Sequence, residues 1–327
     1  MKLIVQIPCL NEEETIGQTI RDIPREIPGI DSVEVLVIDD GSTDRTREAA
    51  REAGADHIIS FTNRKGLARA FMAGIDNALA RGADIIVNTD ADNQYRGADI
   101  PVLIEPILKK EADIVVGDRD VDTIEHFSPV KKYLQKMGSW VVRKLSNTNV
   151  PDAASGFRAY NREAAFSINV VSDFSYTLET LIQAGKGSFA VGHVRVRTNP
   201  QTRPSRLFDS MHGYLKRSVA TLIRIYTMYE PLKVFSMIGG IGILGGLVIS
   251  LRFLYFMIFL AEGKGHVQSL IFAAVLFIVG FQIMVIGLLA DTIASNRKLT
   301  ENVLYRVKKL ESRKEDHASP GPGKTLA

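Results

Sequence analysis

Two apolar runs, residues 234–260 and 267–290, limit what the last third of this chain can become. As a helix the first would extend roughly 40 Å at about 1.5 Å per residue, more than the roughly 30 Å hydrocarbon core of a bilayer. Only residues 261–266 join the two runs, so the pattern predicts a helical hairpin that crosses a membrane. The other reading, a core hairpin of a soluble protein, requires two such lengths side by side in one interior. Arg252 lies toward the far end of the first run, where a long side chain can snorkel to the interface; an intramembrane functional charge is the alternative. Gly242 and Gly246 form a small-x-x-x-small pair, suited to close packing within the hairpin or between two copies of the chain as a homo-oligomer.

Flanking charge orients the hairpin. Lys216, Arg217, Arg224 and Lys233 precede the first run; Arg297, Lys298, Arg306, Lys308 and Lys309 follow the second, while Lys264 is the only Lys or Arg between them. The positive-inside rule then puts both ends of the hairpin, and the domain before it, on the cytoplasmic face. The opening residues, Met1 to Pro8, make too short an apolar run for a signal peptide and read as a first strand. Four regions are expected: a catalytic-type domain over 1–205, an amphipathic interfacial helix region over 206–231, the two spans within 232–291, and a basic cytosolic tail over 292–327 that is disordered from about residue 312. The interfacial helix rests on Phe208, Met211, Leu215, Val219, Leu222 and Tyr226 recurring at helical spacing; packing on the domain is the alternative.

Residues 3–120 alternate strand-like and helix-like patterns. Strands are expected at 3–7, 33–38, 57–61, 85–88 and 113–116, and helices opening at Asn11 to Glu14 and covering 45–53 and 67–80. This order predicts an α/β fold with a doubly wound, mainly parallel sheet. Polar clusters follow three of the strands, at 8–14, 39–44 and 90–94. Parallel strands would bring them to one rim, where ligands bind in open α/β sheets. Asp90-Ala91-Asp92 closes the apolar run Ile85-Ile86-Val87. Two carboxylates one residue apart at a strand end suit a divalent cation and a phosphate; a helix-capping acidic loop is the plainer alternative. No Gly-x-Gly-x-x-Gly follows the first strand, and no Walker sequence is present. The net charge is only +3, with no basic stripe interleaved with aromatics, so nucleic acid is not an expected partner. Cys9, the single cysteine, has no internal disulfide partner and reads as a small core residue rather than a reactive thiol.

The blocks Ile7-Pro8-Cys9-Leu10-Asn11-Glu12-Glu13, Val37-Ile38-Asp39-Asp40-Gly41-Ser42-Thr43-Asp44 and Asp90-Ala91-Asp92 resemble the inverting glycosyltransferases of family 2, which have the GT-A fold. Gln94, Gly117-Asp118-Arg119 and Ser155-Gly156-Phe157-Arg158 resemble the polyprenyl-phosphate branch of that family, typified by dolichol-phosphate mannose synthase. The resemblance covers roughly residues 1–230 and implies a nucleotide-sugar donor, a GDP- or UDP-sugar, and a polyprenyl phosphate acceptor at the membrane lipid. It implies that Asp92 binds Mg2+ or Mn2+ with help from Gln94, that Asp90 and Ala91 lie on the nucleotide-sugar, Asp90 on its ribose or sugar hydroxyls or else sharing the metal, and that Pro8, Glu12 and Asp40 shape its base and ribose pocket.

Arg119 is a candidate for the acceptor phosphate or the donor diphosphate, against a structural ion pair with a neighbouring Asp. Asp152 is either a direct participant or a loop-ordering residue. Arg203, with Arg206, belongs to a basic loop that could close over donor phosphates or be drawn to the membrane surface. Lys131 and Lys132 are candidates for the lipid phosphate, or a solvated pair. A phosphate acceptor would need no catalytic base, being already ionised. Competing readings are a hydroxyl acceptor or polysaccharide synthesis within the same family, a haloacid-dehalogenase-type phosphatase, whose Asp-x-Asp would sit on the first strand, and a non-catalytic membrane scaffold.

Overall fold

Strand β1 (Lys2–Cys9) alternates its apolar side chains between two cores: Leu3, Val5 and Ile7 face one, Ile4 the other. A strand apolar on both faces belongs at the centre of a sheet covered on both sides, and β1 lies between β2 (Ser32–Asp39) and β4 (Ile85–Asn88). The structure, a computed structural model, describes residues 1–120, 129–170, 176–187, 189–200, 220, 223–224, 226–259 and 267–318. With β3 (His57–Ser60), β5 (Ile114–Asp118), β6 (Arg158–Asn161) and β7 (Val191–Arg195), the sheet runs β3-β2-β1-β4-β6-β5-β7. All pairings are parallel except those of β6, which runs against both β4 and β5.

Helices α1 (Ile16–Arg21), α2 (Thr46–Glu52) and α4 (Ile100–Leu108) supply side chains to one core; α3 (Leu67–Ala80), α6 (Arg162–Ser167) and α7 (Tyr176–Lys186) supply the other. Helix α5 (Pro129–Ser146) packs on α7 so closely that a Cβ on Gly185 would overlap the Ser146 carbonyl oxygen. The doubly wound, mainly parallel sheet expected from the sequence is present, and α3 and β4 have the bounds expected.

Two local expectations change. The first helix starts at Ile16, not at Asn11 to Glu14. Asn11 adopts a left-handed φ of 55°. The amide hydrogens of Asn11 and Glu12 are bound by Ser42, in the loop after β2, and by Thr46, the first residue of α2, so this stretch braces a neighbouring segment instead of coiling. The sequence also gave no signal for β6, a buried Arg-Ala-Tyr-Asn strand with no apolar run.

The chain divides into two compact units, one formed by 1–219 with 302–327 and the other by 220–301. In the second, α8 (Pro231–Phe259) and the first part of α9 (Val267–Ala318) are both long and apolar enough to cross a membrane. Their backbones touch at glycines: a Cβ on Gly239 would lie 2.5 Å from the Gly280 carbonyl oxygen, and one on Gly246 3.1 Å from that of Ala273. A Cβ on Gly242 would lie on the same seam, 3.5 Å from the Cα of Gly280. The small-residue pair read from the sequence thus serves packing within the hairpin.

Helix α9 does not stop with its apolar run. It continues to Ala318, so residues 312–318 are helical where a disordered tail was expected. Arg313, Lys314, Glu315 and Ala318 favour helix, and the end falls two residues before Pro320, a residue type that disfavours the α region at the position before it. Residues 302–311 belong to the first unit. Tyr305 donates to Glu163 at 2.6 Å, Lys309 pairs with the same carboxylate at 2.6 Å, and Lys308 pairs with Asp76 at 2.7 Å. Of the expected interfacial helix over 206–231, residues 206–219, 221, 222 and 225 lie outside the described residues.

Candidate functional site

The parallel strands bring the carboxyl ends of β1, β2, β4 and β5 to one rim. Because β6 is reversed, its first residue comes there too, Arg158 pairing with Asn88 and Val116. Pro8 fits here because β4 pairs with β1 only as far as Gln6. Thr89 N–H donates to the Gln6 carbonyl, so this side of β1 faces β4, and at Pro8 the missing N–H falls where the ladder has ended.

Asp90 leaves β4 against Gly156. A Cβ on that glycine would lie 2.9 Å from both Asp90 carboxylate oxygens and from the Tyr176 hydroxyl. The Gly156 peptide is fixed on both sides: its N–H donates to the Tyr95 hydroxyl at 3.0 Å, and its carbonyl accepts from Asn88 Nδ2 at 2.8 Å. Asn88 also donates to the Tyr176 hydroxyl at 3.0 Å and accepts from Gln6 Nε2 at 2.9 Å. Buried polar groups are retained when they are bonded to one another, and this network forms the floor under Asp90. Its members Gln6, Asn88, Tyr95 and Tyr176 were not singled out from the sequence. The available signal was a buried polar residue in each of two apolar strands, Gln6 in β1 and Asn88 ending β4.

Ala91 is buried, and its carbonyl accepts from Thr19 of α1 at 3.1 Å. Asp92 is half-buried; its Oδ1 accepts the Gln94 N–H at 3.1 Å across a tight turn in which Asn93 has a φ of 56°. Burial, and then the charge of Asp92, push the Asp90 carboxyl up to about 7, against the pull of Arg119 and Arg158. Two acids that resist joint ionisation are a fit for a divalent cation. Among the described residues no group of three or more His, Cys, Asp or Glu is placed to hold a metal. A cation bound by one or two carboxylates is completed by substrate phosphate and water.

Arg119, just past β5, forms a fork on Asp152: Nε to Oδ2 at 2.7 Å and a terminal nitrogen to Oδ1 at 3.1 Å. Its guanidinium lies 5.8 Å from the Tyr95 ring centroid. Of the two sequence readings for Arg119, the ion pair with a neighbouring Asp is therefore formed. Asp152 sits on a loop organised by Arg158, whose fully buried guanidinium donates to the carbonyls of Ala153 and Ser155 at 2.7 and 2.8 Å.

Asp40 turns its carboxylate onto the loop before α3, accepting from Lys65 N–H at 2.7 Å and Gly66 N–H at 2.9 Å. Glu12 accepts from the Thr15 hydroxyl at 2.9 Å. It lines, with Asn11, Glu13, Glu14, Thr15, Thr43 and Asp44, a cavity of about 310 Å³ at the ends of β1 and β2. Beyond β7 the chain returns to the acidic turn: Asn199 donates to the carbonyls of Gln94 and Asn93 at 2.9 and 3.0 Å. Arg203 and Arg206, which follow, lie outside the described residues, and so do the side chains of Lys131 and Lys132.

Residues 4–167 match the profile described as Glycosyl transferase family 2. The dolichol-phosphate mannosyltransferase of Pyrococcus furiosus is 31% identical over 259 residues, covering 75% of this chain and 70% of that one. The undecaprenyl-phosphate mannosyltransferase of Micrococcus luteus is 31% identical over 176 residues, covering 52% of this chain and 70% of that one. A solved structure of glucosyl-3-phosphoglycerate synthase from Mycobacterium tuberculosis, in complex with Mn2+, uridine diphosphate and phosphoglyceric acid, aligns with a TM-score of 0.52 at 22% identity, covering 68% of this chain and 78% of that one. The last likeness is one of fold.

Proposed function

The chain belongs to glycosyl transferase family 2, and on that footing we propose that it transfers a sugar from a nucleotide-sugar to a polyprenyl phosphate at a membrane surface, anchored by α8 and α9. The observation that carries the acceptor class is the state of Asp152. A sugar hydroxyl needs a general base, and the acid placed before the Ser155-Gly156-Phe157-Arg158 block is 1% exposed and doubly bonded to Arg119. A phosphomonoester needs none, since its second pKa is about 6. Its oxygen attacks the anomeric carbon, and the bond to the departing nucleoside diphosphate breaks with inversion.

The residues position and screen. Asp92, sharing with Asp90 and with Gln94 beside it, would hold Mg2+ or Mn2+, which supplies Lewis-acid neutralisation of the diphosphate as it leaves. Asp90, seated on Gly156, meets ribose or sugar hydroxyls where it is not on the cation. Pro8, Glu12 and Ala91 shape the nucleotide pocket, and Asp40 does so through the 65–66 loop that it holds. Arg119, whose charge acts on Asp90, presents its guanidinium to the incoming phosphate. Lys131 and Lys132 are assigned to the acceptor phosphate, and Arg203, on the segment that leaves Asn199, to the donor phosphates. The names of the relatives support a polyprenyl-phosphate acceptor, and the paired carboxylates of Asp90 and Asp92 support the cation. The basic flanks of the hairpin support a cytoplasmic catalytic face.

The test is transfer by the purified full chain from radiolabelled GDP- and UDP-sugars to a short polyprenyl phosphate, with Mg2+ or Mn2+ and organic-phase counting. Label entering the lipid from one donor, blocked by EDTA, is expected. Binding of a nucleotide-sugar without transfer to any polyprenyl phosphate would overturn the acceptor assignment.

A further inference from the structure

Past β7 the chain forms a strap, residues 196–199, that runs along the rim from one half of the site to the other. It begins beside Arg119, where Val196 N–H donates to the Asp118 carbonyl at 2.9 Å. It ends on the acidic turn, where Thr198 bridges Tyr95 in antiparallel fashion and Asn199 reaches two carbonyls. The Asn199 N–H donates to that of Gln94 at 2.9 Å and its Nδ2 to that of Asn93 at 3.0 Å. Between these ends Arg197 locks the strap to Asp99, the buried acid just before α4. Its N–H donates to Oδ2 at 2.8 Å and its guanidinium to Oδ1 at 2.6 Å. Pro200 follows and disfavours the α region at Asn199, which suits an extended approach to the turn.

The turn has a use for this support. Asn93 holds a left-handed φ of 56° between Asp92 and Gln94, and Asp92 Oδ1 accepts the Gln94 N–H. The Asp92 carboxylate therefore points where the 92–94 backbone sends it. We propose that Asn199 is a positioning residue for the cation: by holding the carbonyls of Asn93 and Gln94 it fixes the direction of Asp92 and its distance from Arg119. The inference rests on the reading of Asp92 and Gln94 as the metal residues. Groups that orient metal ligands from behind are worth roughly 10–100-fold in metal affinity. Mg2+ should feel the loss of Asn199 most, because it demands near-ideal octahedral geometry, whereas Ca2+ accepts irregular sites. The turn uses the donor on Asn199 and not its volume, so Asn199→Leu, of similar size without the donor, should behave as Asn199→Ala does.

The full chain in detergent, as wild type, Asn199→Ala and Asn199→Leu, is titrated with Mn2+ by electron paramagnetic resonance in the presence of UDP or GDP. Mg2+ and Ca2+ are ranked by how well each displaces the bound Mn2+. Both variants keep the Asn199 backbone bond to Gln94, so Tm should change little. Mn2+ should bind roughly tenfold more weakly or worse, and Mg2+ should lose more than Ca2+. In the transfer assay the metal concentration for half-maximal rate should rise, while the rate at saturating metal recovers. Unchanged Mn2+ affinity overturns the assignment. So does an equal loss of Mg2+ and Ca2+ that follows a fall in Tm, which marks a merely structural residue. If both variants fail to fold, Arg197→Ala carries the test, since that side chain is 66% exposed; there too Mn2+ should weaken, and an unchanged affinity overturns the proposal. A wild type that binds no Mn2+ with either nucleotide sinks the metal reading, and this one with it. A wild type that binds Mn2+ but transfers to no polyprenyl phosphate sinks the acceptor reading alone, and the titration still decides the role of Asn199.

Discussion

Arg119 and Asp152 meet through two parallel hydrogen bonds, with the acid 1% and the arginine 11% exposed. A fork of this kind fixes the guanidinium plane as well as the charge. It leaves Asp152 as the partner of a cation at the rim and not as an acid open to a substrate hydroxyl.

Asp152→Asn should therefore lower transfer far less than the 10²–10⁴-fold that loss of a general base costs. The pH–rate profile should keep its shape. Initial rates across pH check this; a loss in the base range, with the acidic limb of the profile gone, would make Asp152 the base. Arg119→Ala strands a buried carboxylate instead, and should cost about 3–5 kcal/mol of stability, read as a fall in Tm.

Asp92→Ala removes one acceptor from the Gln94 N–H, a change worth about 1 kcal/mol. The variant should stay folded and membrane-bound while metal-dependent transfer disappears. Mn2+ titration by electron paramagnetic resonance alongside the transfer assay separates the two effects. Activity near that of the wild type, insensitive to chelator, would remove Asp92 from the metal site.

Gly156→Ala puts a methyl where the Asp90 oxygens and the Tyr176 hydroxyl now lie, 2.9 Å from each. Overpacking of this size costs about 1–3 kcal/mol. Because the displaced group is Asp90, turnover should suffer out of proportion to Tm. Equal, small losses in both would mean that the seat is dispensable.

Glu163 is held below the usual carboxylate range by its hydrogen bonds to Lys309 and Tyr305. The unfolded chain binds the proton more readily, so the clasp contributes stability above the ordinary glutamate value of about 4.3 and loses it as pH falls through the lower folded value. Half-exposed partners and salt screening keep the effect modest. Tm of the wild type and of Glu163→Gln, followed from neutral pH down to about pH 3, should differ at neutral pH and converge in acid. Parallel curves would show that the clasp does not titrate with Glu163.

Much of the frame was legible because apolar periodicity and punctuation agree. Helix α3 follows its glycine, and Asp90 and Asp92 end a run of three apolar residues. What escaped notice is what only the third dimension pairs. Nothing in Ser155-Gly156-Phe157-Arg158 shows that Gly156 must lack a side chain because Asp90 rests on it. An arginine at a strand end gives the same signal whether it waits for a phosphate or grips Asp152. Strand β6 hides because its buried Arg158 and Tyr160 break the expected apolar run. Tyr305 of α9 reads as tail because the core it packs against, to which α3 and α6 contribute, lies far back in the sequence.

That last clasp has a consequence for the birth of the protein. Residues 302–311 complete the unit that begins at Met1, yet the whole of 220–301 is translated between them. Domains assemble as the chain emerges, amino end first. This one must hold its α3 and α6 surface open while the ribosome makes the hairpin, and it receives its final piece only afterwards. Asp76 and Glu163 wait for Lys308 and Lys309, which are made only after the hairpin.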